Sequence, residues 1–232
     1  MKAMILAAGL GKRMRPLTDH TPKPLLCVRG KPLLQYHLEA LAEAGVSDVI
    51  INLAYLGEQI RDFVGSGQRF GLRVTYSPEP EPLETGGAIA HALPLLGEAP
   101  FLLINADVWC DYPLIQLAST PLAAGCLGRL LLVPNPDFHP EGDFTLTENG
   151  TLADGPPQTP EQQRLTFAGI SLLRPALVAD YPHRRHRFPL LEAFKAAISQ
   201  QRLQGELYSG AWSDVGTPQR LQVLNEPLPH HS

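Results

Sequence analysis

The sequence predicts an α/β protein: a doubly wound, mainly parallel sheet with helices on both faces. Three observations predict it. Short aliphatic runs alternate with segments of helical period, and turn residues mark each change between them. The most continuous apolar run, Phe101–Asn105, reads as a central strand buried on both sides. The chain has 232 residues, 44% of them hydrophobic and 18% charged, which suits a sizeable core and excludes a disordered or fibrous chain.

Each element has its own local reason. Lys2–Ala7 is the first strand. Pro32–Ala44 follows as a helix with Leu33, Leu34, His37, Leu38 and Leu41 on one face, Pro32 in its first turn and Gly45 at its end. Asp48–Leu53 is a strand, Glu58–Val64 a short helix and Leu72–Tyr76 a third strand. A Pro- and Glu-rich loop, Ser77–Glu84, leads into a helix from Thr85 to Leu93. In the second half, Gly125–Pro134, Phe144–Thr147 and Leu165–Leu173 read as strands around a Gly/Pro-rich break at Gly150–Pro160. Pro189–Gln201 is a helix, Glu206–Tyr208 and Ala211–Val215 are short strands, and Pro218 starts a closing helix at Thr217–Asn225. The pattern gives one domain over residues 1–226, with halves meeting near residue 110, and a tail at 227–232 outside it.

Charge narrows the partners. The net charge is −4, yet residues 1–31 hold seven bases and a single acid, Asp19, leaving twelve bases against twenty-two acids in the rest. A basic loop on an acidic body suits a compact polyanion held at one point and lacks the broad positive face that nucleic acid requires. The apolar run Ala3–Ala8 is too short for a signal peptide, and no stretch is long enough to span a membrane. Cys27, Cys110 and Cys126, an odd number without a CxxC, point to a reducing compartment, the cytoplasm.

The basic loop is Gly9-Leu10-Gly11-Lys12-Arg13-Met14-Arg15-Pro16-Leu17-Thr18, directly after the first strand. Glycines there let backbone N–H groups approach phosphate. Met14 stands where a dinucleotide fingerprint needs its third glycine, and Leu6 and Arg13 occupy positions a Walker A loop reserves for Gly and Ser or Thr. What remains is Arg13-x-x-Pro16-Leu17-Thr18 followed by Pro22-Lys23-Pro24-Leu25.

This pattern resembles the signature of the sugar-1-phosphate nucleotidyltransferases, with Lys12 where Thr or Ser is usual. Three further segments extend the resemblance over nearly the whole chain. Glu81-Pro82-Leu83-Glu84-Thr85-Gly86-Gly87 is similar to the base-reading loop, with Glu84 in place of a glycine. Asn105-Ala106-Asp107 is similar to the N-G-D at the end of the central strand, and Trp212-x-Asp214-x-Gly216-Thr217 to a late W-x-D-x-G-T. The resemblance implies a Rossmann-like fold of the nucleotide-diphospho-sugar transferase type, with a nucleotide-binding half to about residue 110 and a sugar-binding half from about 111 to 226. It implies transfer of a nucleotidyl group from a nucleoside triphosphate to a sugar 1-phosphate with Mg²⁺, or Mn²⁺ at the same oxygen site.

Roles follow from the same resemblance. Asp107 and Asp214 would ligate the metal, Arg13 would neutralise the β- and γ-phosphates, and Lys23 would reach the reacting phosphates, making these four the catalytic set. Leu6, Ala8, Gly9, Gly11, Lys12, Arg13, Glu79, Thr85 and Gly86 would frame the nucleotide. Lys23, Gly142, Ala168 and Gly169 would meet the sugar phosphate. A carboxylate at Glu79 can accept from uracil N3–H but cannot donate to a carbonyl, which is compatible with uridine; UTP is the expected nucleotide. Among family branches the short form most resembles the uridylyltransferases that act on N-acetylmuramate 1-phosphate in cell-wall recycling, with mannose-1-phosphate guanylyltransferases as competitor. The resemblance also allows a non-catalytic nucleotide-sugar sensor, which loss of a metal Asp or the loop Lys would mark. A second lysine that many relatives set against the sugar phosphate is missing near Gly150–Pro156, so an arginine or backbone N–H must replace it. Arg129, Arg164, Arg174 and Arg202 are the candidates for reading a lactyl carboxylate. Without a β-helix extension, a monomer is expected.

Overall fold

A computed structural model describes residues 1–226; the expected tail at 227–232 lies outside the described residues. In chain order the strands of the first half are β1 (Lys2–Leu6), β2 (Cys27–Val28), β3 (Lys31–Pro32), β4 (Asp48–Leu53), β5 (Arg73–Pro78), β6 (Phe101–Asn105) and β7 (Val108–Cys110). The second half adds β8 (Gly128–Val133), β9 (Phe144–Leu146), β10 (Leu152–Ala153), β11 (Gln163–Leu173), β12 (Leu203–Leu207) and β13 (Trp212–Asp214). The helices are α1 (Leu33–Glu43), α2 (Gly57–Val64), α3 (Glu84–Leu96), α4 (Leu114–Ser119), α5 (Ala176–Ala179), α6 (Leu190–Ser199) and α7 (Pro218–Asn225).

A nine-stranded sheet runs through both halves in the order β10-β9-β11-β6-β1-β4-β5, with β8 on β11 and β12 on β8. β6, β1, β4 and β5 are mutually parallel, as the sequence predicts. The second half departs from that rule, because β11 lies antiparallel to β6, β8 and β9. A register shift between Phe167 and Ser171 breaks β11 in two, so its end pairs with β6 and its start with β9.

Alternation along β1 separates two apolar layers. Ala3 and Ile5 pack with Leu34, Leu38 and Leu41 of α1, while Met4 packs on the opposite face with Ile89 and Ala92 of α3 and Phe194 of α6. Both faces of the central strands are therefore covered, which is why Phe101–Ile104 reads as one unbroken apolar run.

Several boundaries differ from the sequence reading. α3 runs from Glu84 to Leu96, beyond the expected Thr85–Leu93, with Pro94 accommodated in its last turns. β12 begins at Leu203 where Glu206 was expected, since its pairing with β8 selects the segment and its own composition does not. β7, α4 and α5 carry too few residues for a periodic signal. The three cysteines are free, and burial pushes the Cys110 thiol up to about 11. No helix among the described residues is long and apolar enough to cross a membrane.

His37 is the polar member of the α1 face. It is buried, its Nε2 finds no partner, and desolvation lowers its pKa from 6.5 to about 4 against the opposing pull of the Val108 carbonyl, Asp107 and the Ala106 carbonyl. The unfolded chain binds a proton there between about pH 6.5 and 4 while the folded chain does not, so stability rises with pH across that window. Lowering the pH from 6.5 to 4 is expected to cost on the order of 3 kcal/mol from this group. Denaturant unfolding of the wild type and His37→Leu across the window checks it; equal pH slopes in the two proteins would exclude His37 as the source.

Candidate active site

The carboxyl ends of the parallel strands open into a cavity of about 480 Å³, at the crevice where β1 has one parallel neighbour on each side. Leu6, Ala8, Gly9, Lys12, Lys23, Glu79 and Thr85 line it, seven of the residues expected around the nucleotide and its phosphates. Asn52, at the end of β4, was not foreseen. Its Oδ1 accepts from the Ala7 backbone N–H at 2.7 Å, and its Nδ2 donates to Glu79 Oε1 at 2.7 Å. The other Glu79 oxygen accepts from the Leu83 N–H at 3.1 Å. Glu79 is thus a buried brace between the loop after β1 and the loop before α3, with both oxygens already engaged.

Other expected nucleotide residues stand behind this wall or beside it. Gly86 is buried in α3 with its N–H donating to Phe188 O at 2.9 Å, and Thr85 Oγ1 accepts from the Leu190 N–H at 2.8 Å. Gly11 precedes the short turn Lys12–Met14. Glu84 has a left-handed backbone at φ 61, where the resembling loops carry glycine, and its carboxylate meets Arg187 Nε at 3.1 Å.

A second cavity of about 380 Å³ adjoins the first, sharing Asn105 and Asp107. Arg13 and Asp214 line it too, so the turn Lys12–Met14 stands between the two spaces, with Lys12 in one and Arg13 in the other. The carboxylates are brought together by a two-stranded ribbon. β13 pairs with β7 so that Asp214 lies opposite Val108, and the Val215 N–H donates to Asp107 O at 3.0 Å. Lys23 comes from the turn after the basic loop, where Pro22 and Pro24 hold it. Its side chain is 9% exposed and its Nζ donates to Asp107 Oδ2 at 2.6 Å. The Asp107 side chain is 40% exposed, so the pair faces the cavities from a buried base.

The expected sugar contacts divide. Gly169 lines the second cavity at φ +77, where any Cβ would meet Asn105 Nδ2 and Val108 Cγ1 at 3.0 Å. Ala168 is buried, and its carbonyl accepts from Trp212 Nε1 at 2.9 Å, which aims the tryptophan at the cavity wall. Gly142 sits against Asn135 and does not reach the walls. Asp143, His139, Phe138, Thr166 and Arg220 do reach them and were not foreseen. Asp143 accepts from the Phe167 N–H at 2.8 Å and lies 3.1 Å from His139 Nε2.

Asp107 and Asp214 both line the second cavity, and two hard carboxylates are a donor set that fits a divalent cation. The described residues hold no cluster of three or more His, Cys, Asp or Glu that could ligate a metal by themselves.

The description "Nucleotidyl transferase" fits residues 2–142 by the family's sequence model. The chain belongs to the nucleotidyl transferase family. Over 226 residues it is 45% identical to an N-acetylmuramate alpha-1-phosphate uridylyltransferase of Neisseria meningitidis, covering 96% of each chain. It is 33% identical over 222 residues to the mannose-1-phosphate guanylyltransferase catalytic subunit beta of Drosophila melanogaster, covering 94% of this chain and 60% of that protein. A Bacillus anthracis structure assigned as a glucose-1-phosphate thymidylyltransferase and solved with a sucrose superimposes at TM-score 0.82, with 23% identity over 97% of this chain and 94% of that one. The likeness supports the nucleotidyl transferase fold, of the nucleotide-diphospho-sugar transferase type.

Asn52 is the most exposed prediction of this geometry. Replacing it with Ala strands the Ala7 N–H and one oxygen of a buried Glu79, and should cost about 2–4 kcal/mol. Denaturant unfolding of Asn52→Ala measures this; a loss under about 0.5 kcal/mol, the level of a surface change, would mean the brace is not formed.

Proposed function

We propose that the chain transfers a uridylyl group from UTP to N-acetylmuramate 1-phosphate, releasing pyrophosphate. The observation that carries the reaction class is the meeting of Lys23, Asp107 and Asp214 where two cavities join. The 45% identity across 96% of both chains to the Neisseria uridylyltransferase supports the choice of base and sugar. On this reading residues 1–226 work as one unit, the half to about residue 110 holding nucleotide and the half from 111 holding sugar. The proposed setting is the cytoplasm, in cell-wall recycling, with the chain acting as a monomer.

In this reaction an oxygen of the sugar's phosphate attacks the α-phosphorus of UTP. A new P–O bond forms, the bond to the β-phosphate oxygen breaks, and its electron pair leaves with pyrophosphate. The attacking oxygen is already ionised, so no general base is required. The chain's task is to bring two anions together and hold them in line.

Lys23 is suited to that task because its position is set before substrate arrives. Packing fixes its stem and Asp107 fixes its ammonium, so it offers positive charge with little reorganisation. Arg13, exposed and lining the second cavity, would neutralise the outer phosphates where they reach past Lys12. Mg²⁺ held by Asp107 and Asp214 would supply further charge neutralisation on phosphate oxygens. Each Glu79 oxygen holds one protein donor and keeps a further lone pair, so its carboxylate would read the base edge together with the backbone around Leu6, Ala8 and Gly9 and with Thr85.

A pyrophosphate-release assay crossing UTP, GTP, dTTP and CTP with the 1-phosphates of N-acetylmuramate, N-acetylglucosamine and mannose tests the reading. Preference for UTP with N-acetylmuramate 1-phosphate is the expected result. GTP with mannose 1-phosphate would keep the chemistry and replace the substrates, while silence throughout with nucleotide bound would make the protein a sensor. Lys23→Ala, Asp107→Asn and Asp214→Asn should each lower kcat by ~100-fold or more, the scale of a lost transition-state electrostatic contact. An effect below threefold at any of the three would remove that residue from the catalytic set.

A further inference from the structure

We propose that Arg220 is the residue that grips the anionic group of the sugar substrate. The inference rests on the transfer reaction above and names a residue the sequence did not mark.

The second cavity presents three carboxylates, Asp107, Asp143 and Asp214, to a substrate that is itself an anion. All three are paired: Asp107 with Lys23, Asp143 with the Phe167 N–H and His139, and Asp214 with Arg220. Arg13 and Arg220 are the guanidinium groups lining this space. Arg13 is exposed on the turn Lys12–Met14, whereas Arg220 approaches from α7 with its side chain only 21% exposed.

Arg220 is held in a defined plane. Its Nη1 donates to Asp214 Oδ2 at 2.6 Å, and its guanidinium carbon lies 3.6 Å from the centroid of the Phe138 ring. Gly216 makes room for this arrangement, since a Cβ there would come within 2.8 Å of Arg220 Nη1 and 2.9 Å of Asp214 Oδ2. The backbone is set as well, because Thr217 caps α7 and its Oγ1 accepts from the Arg220 N–H at 3.3 Å. Neither Nε nor Nη2 of Arg220 donates to a protein atom among the described residues. A planar fork of N–H donors, fixed by stacking and by one ion pair, is what a phosphate or carboxylate receives in bidentate fashion.

The alternatives are committed elsewhere. Arg129 donates to the carbonyls of Thr120 and Pro121, Arg164 to those of Glu141 and Gly155, Arg174 to those of Cys126 and Leu122, and Arg202 to that of Gly125. None of the four lines the second cavity. Lys195 does meet the stretch where a second lysine was sought, pairing with Asp154 at 3.0 Å, but it also lies outside the cavity walls.

The oxyanion could belong to the 1-phosphate or to the lactyl carboxylate of N-acetylmuramate, and the test separates them. Arg220→Ala and Arg220→Lys are compared with wild type in steady-state assays and by calorimetric titration onto protein holding Mg²⁺ and a non-hydrolysable UTP analogue. The titrants are N-acetylmuramate 1-phosphate, N-acetylglucosamine 1-phosphate and free N-acetylmuramate. Arg220→Ala is expected to raise KM and Kd for the sugar phosphate at least tenfold, with KM for UTP within twofold of wild type and partial recovery in Arg220→Lys. Equal losses with both sugar phosphates assign the 1-phosphate; a loss confined to the two muramate compounds assigns the carboxylate. Unchanged sugar affinity in a folded Arg220→Ala, with only the melting temperature or the UTP constant altered, would overturn the proposal and leave Arg220 as a prop for Asp214. Wild-type protein that binds sugar phosphate without transferring to it would overturn the reaction while the Arg220 comparison still reads by titration. Wild-type protein that binds none of the three would overturn both.

Discussion

The ion pair between Lys23 and Asp107 is the constraint around which the two cavities are arranged. A lysine this deeply covered needs an opposite charge, because burying an unpaired ammonium costs several kcal/mol. Asp107 supplies it from the turn after β6, so the basic loop that follows β1 is tied back to the central sheet 84 residues later. The same carboxylate faces both cavities. Under the proposed reaction, a requirement of stability and a requirement of chemistry fall on one pair of side chains.

The sheet makes that pairing possible. β1 lies between two parallel neighbours, so β1, β4 and β6 end on the same edge and leave a crevice that their following loops must cover. The second half does not extend this pattern. It joins through the antiparallel β11, whose broken register turns Gly169 toward Asn105 and opens the second cavity beside the first. The small ribbon of β7 and β13 then delivers Asp214 to Asp107 across a long stretch of sequence. Parallel core and antiparallel annex thus do different work: one frames a nucleotide-sized crevice, the other builds a space against it.

The parallel run of the first strands, the apolar face of α1 and the motif residues Lys23, Asp107 and Asp214 were all legible in the sequence. Each of these sits in a continuous local pattern: a hydrophobic period, or a motif at a strand end. Glu79 was legible as a residue of the first cavity but not in its state, because its partners Asn52 and Leu83 come from β4 and from the loop before α3. Gly86 and Gly142 carry glycine for packing against Phe188 and Asn135, a reason no short motif discloses. Asn52 could have been suspected from its place at the carboxyl end of a parallel strand, where ligands of such sheets gather. Arg220 carried only the faint signal of lying one helical turn beyond Thr217.

By itself the sequence determined the alternation of strands and helices, the basic loop after the first strand, and the two aspartates at strand ends. Hydrophobic period and turn chemistry act between near neighbours, so these features need no knowledge of the rest of the chain. The tertiary structure alone decided which polar atoms remain available. That decision gave each oxygen of Glu79 a protein donor, tied four arginines to backbone carbonyls, and left Nε and Nη2 of Arg220 without a protein acceptor among the described residues, at the wall of the second cavity. The reason is that a polar atom's free capacity depends on whatever group is brought within about 3 Å of it, and for Asn52 with Glu79, Arg174 with Cys126 and Lys23 with Asp107 that group lies 27, 48 and 84 residues away in the chain.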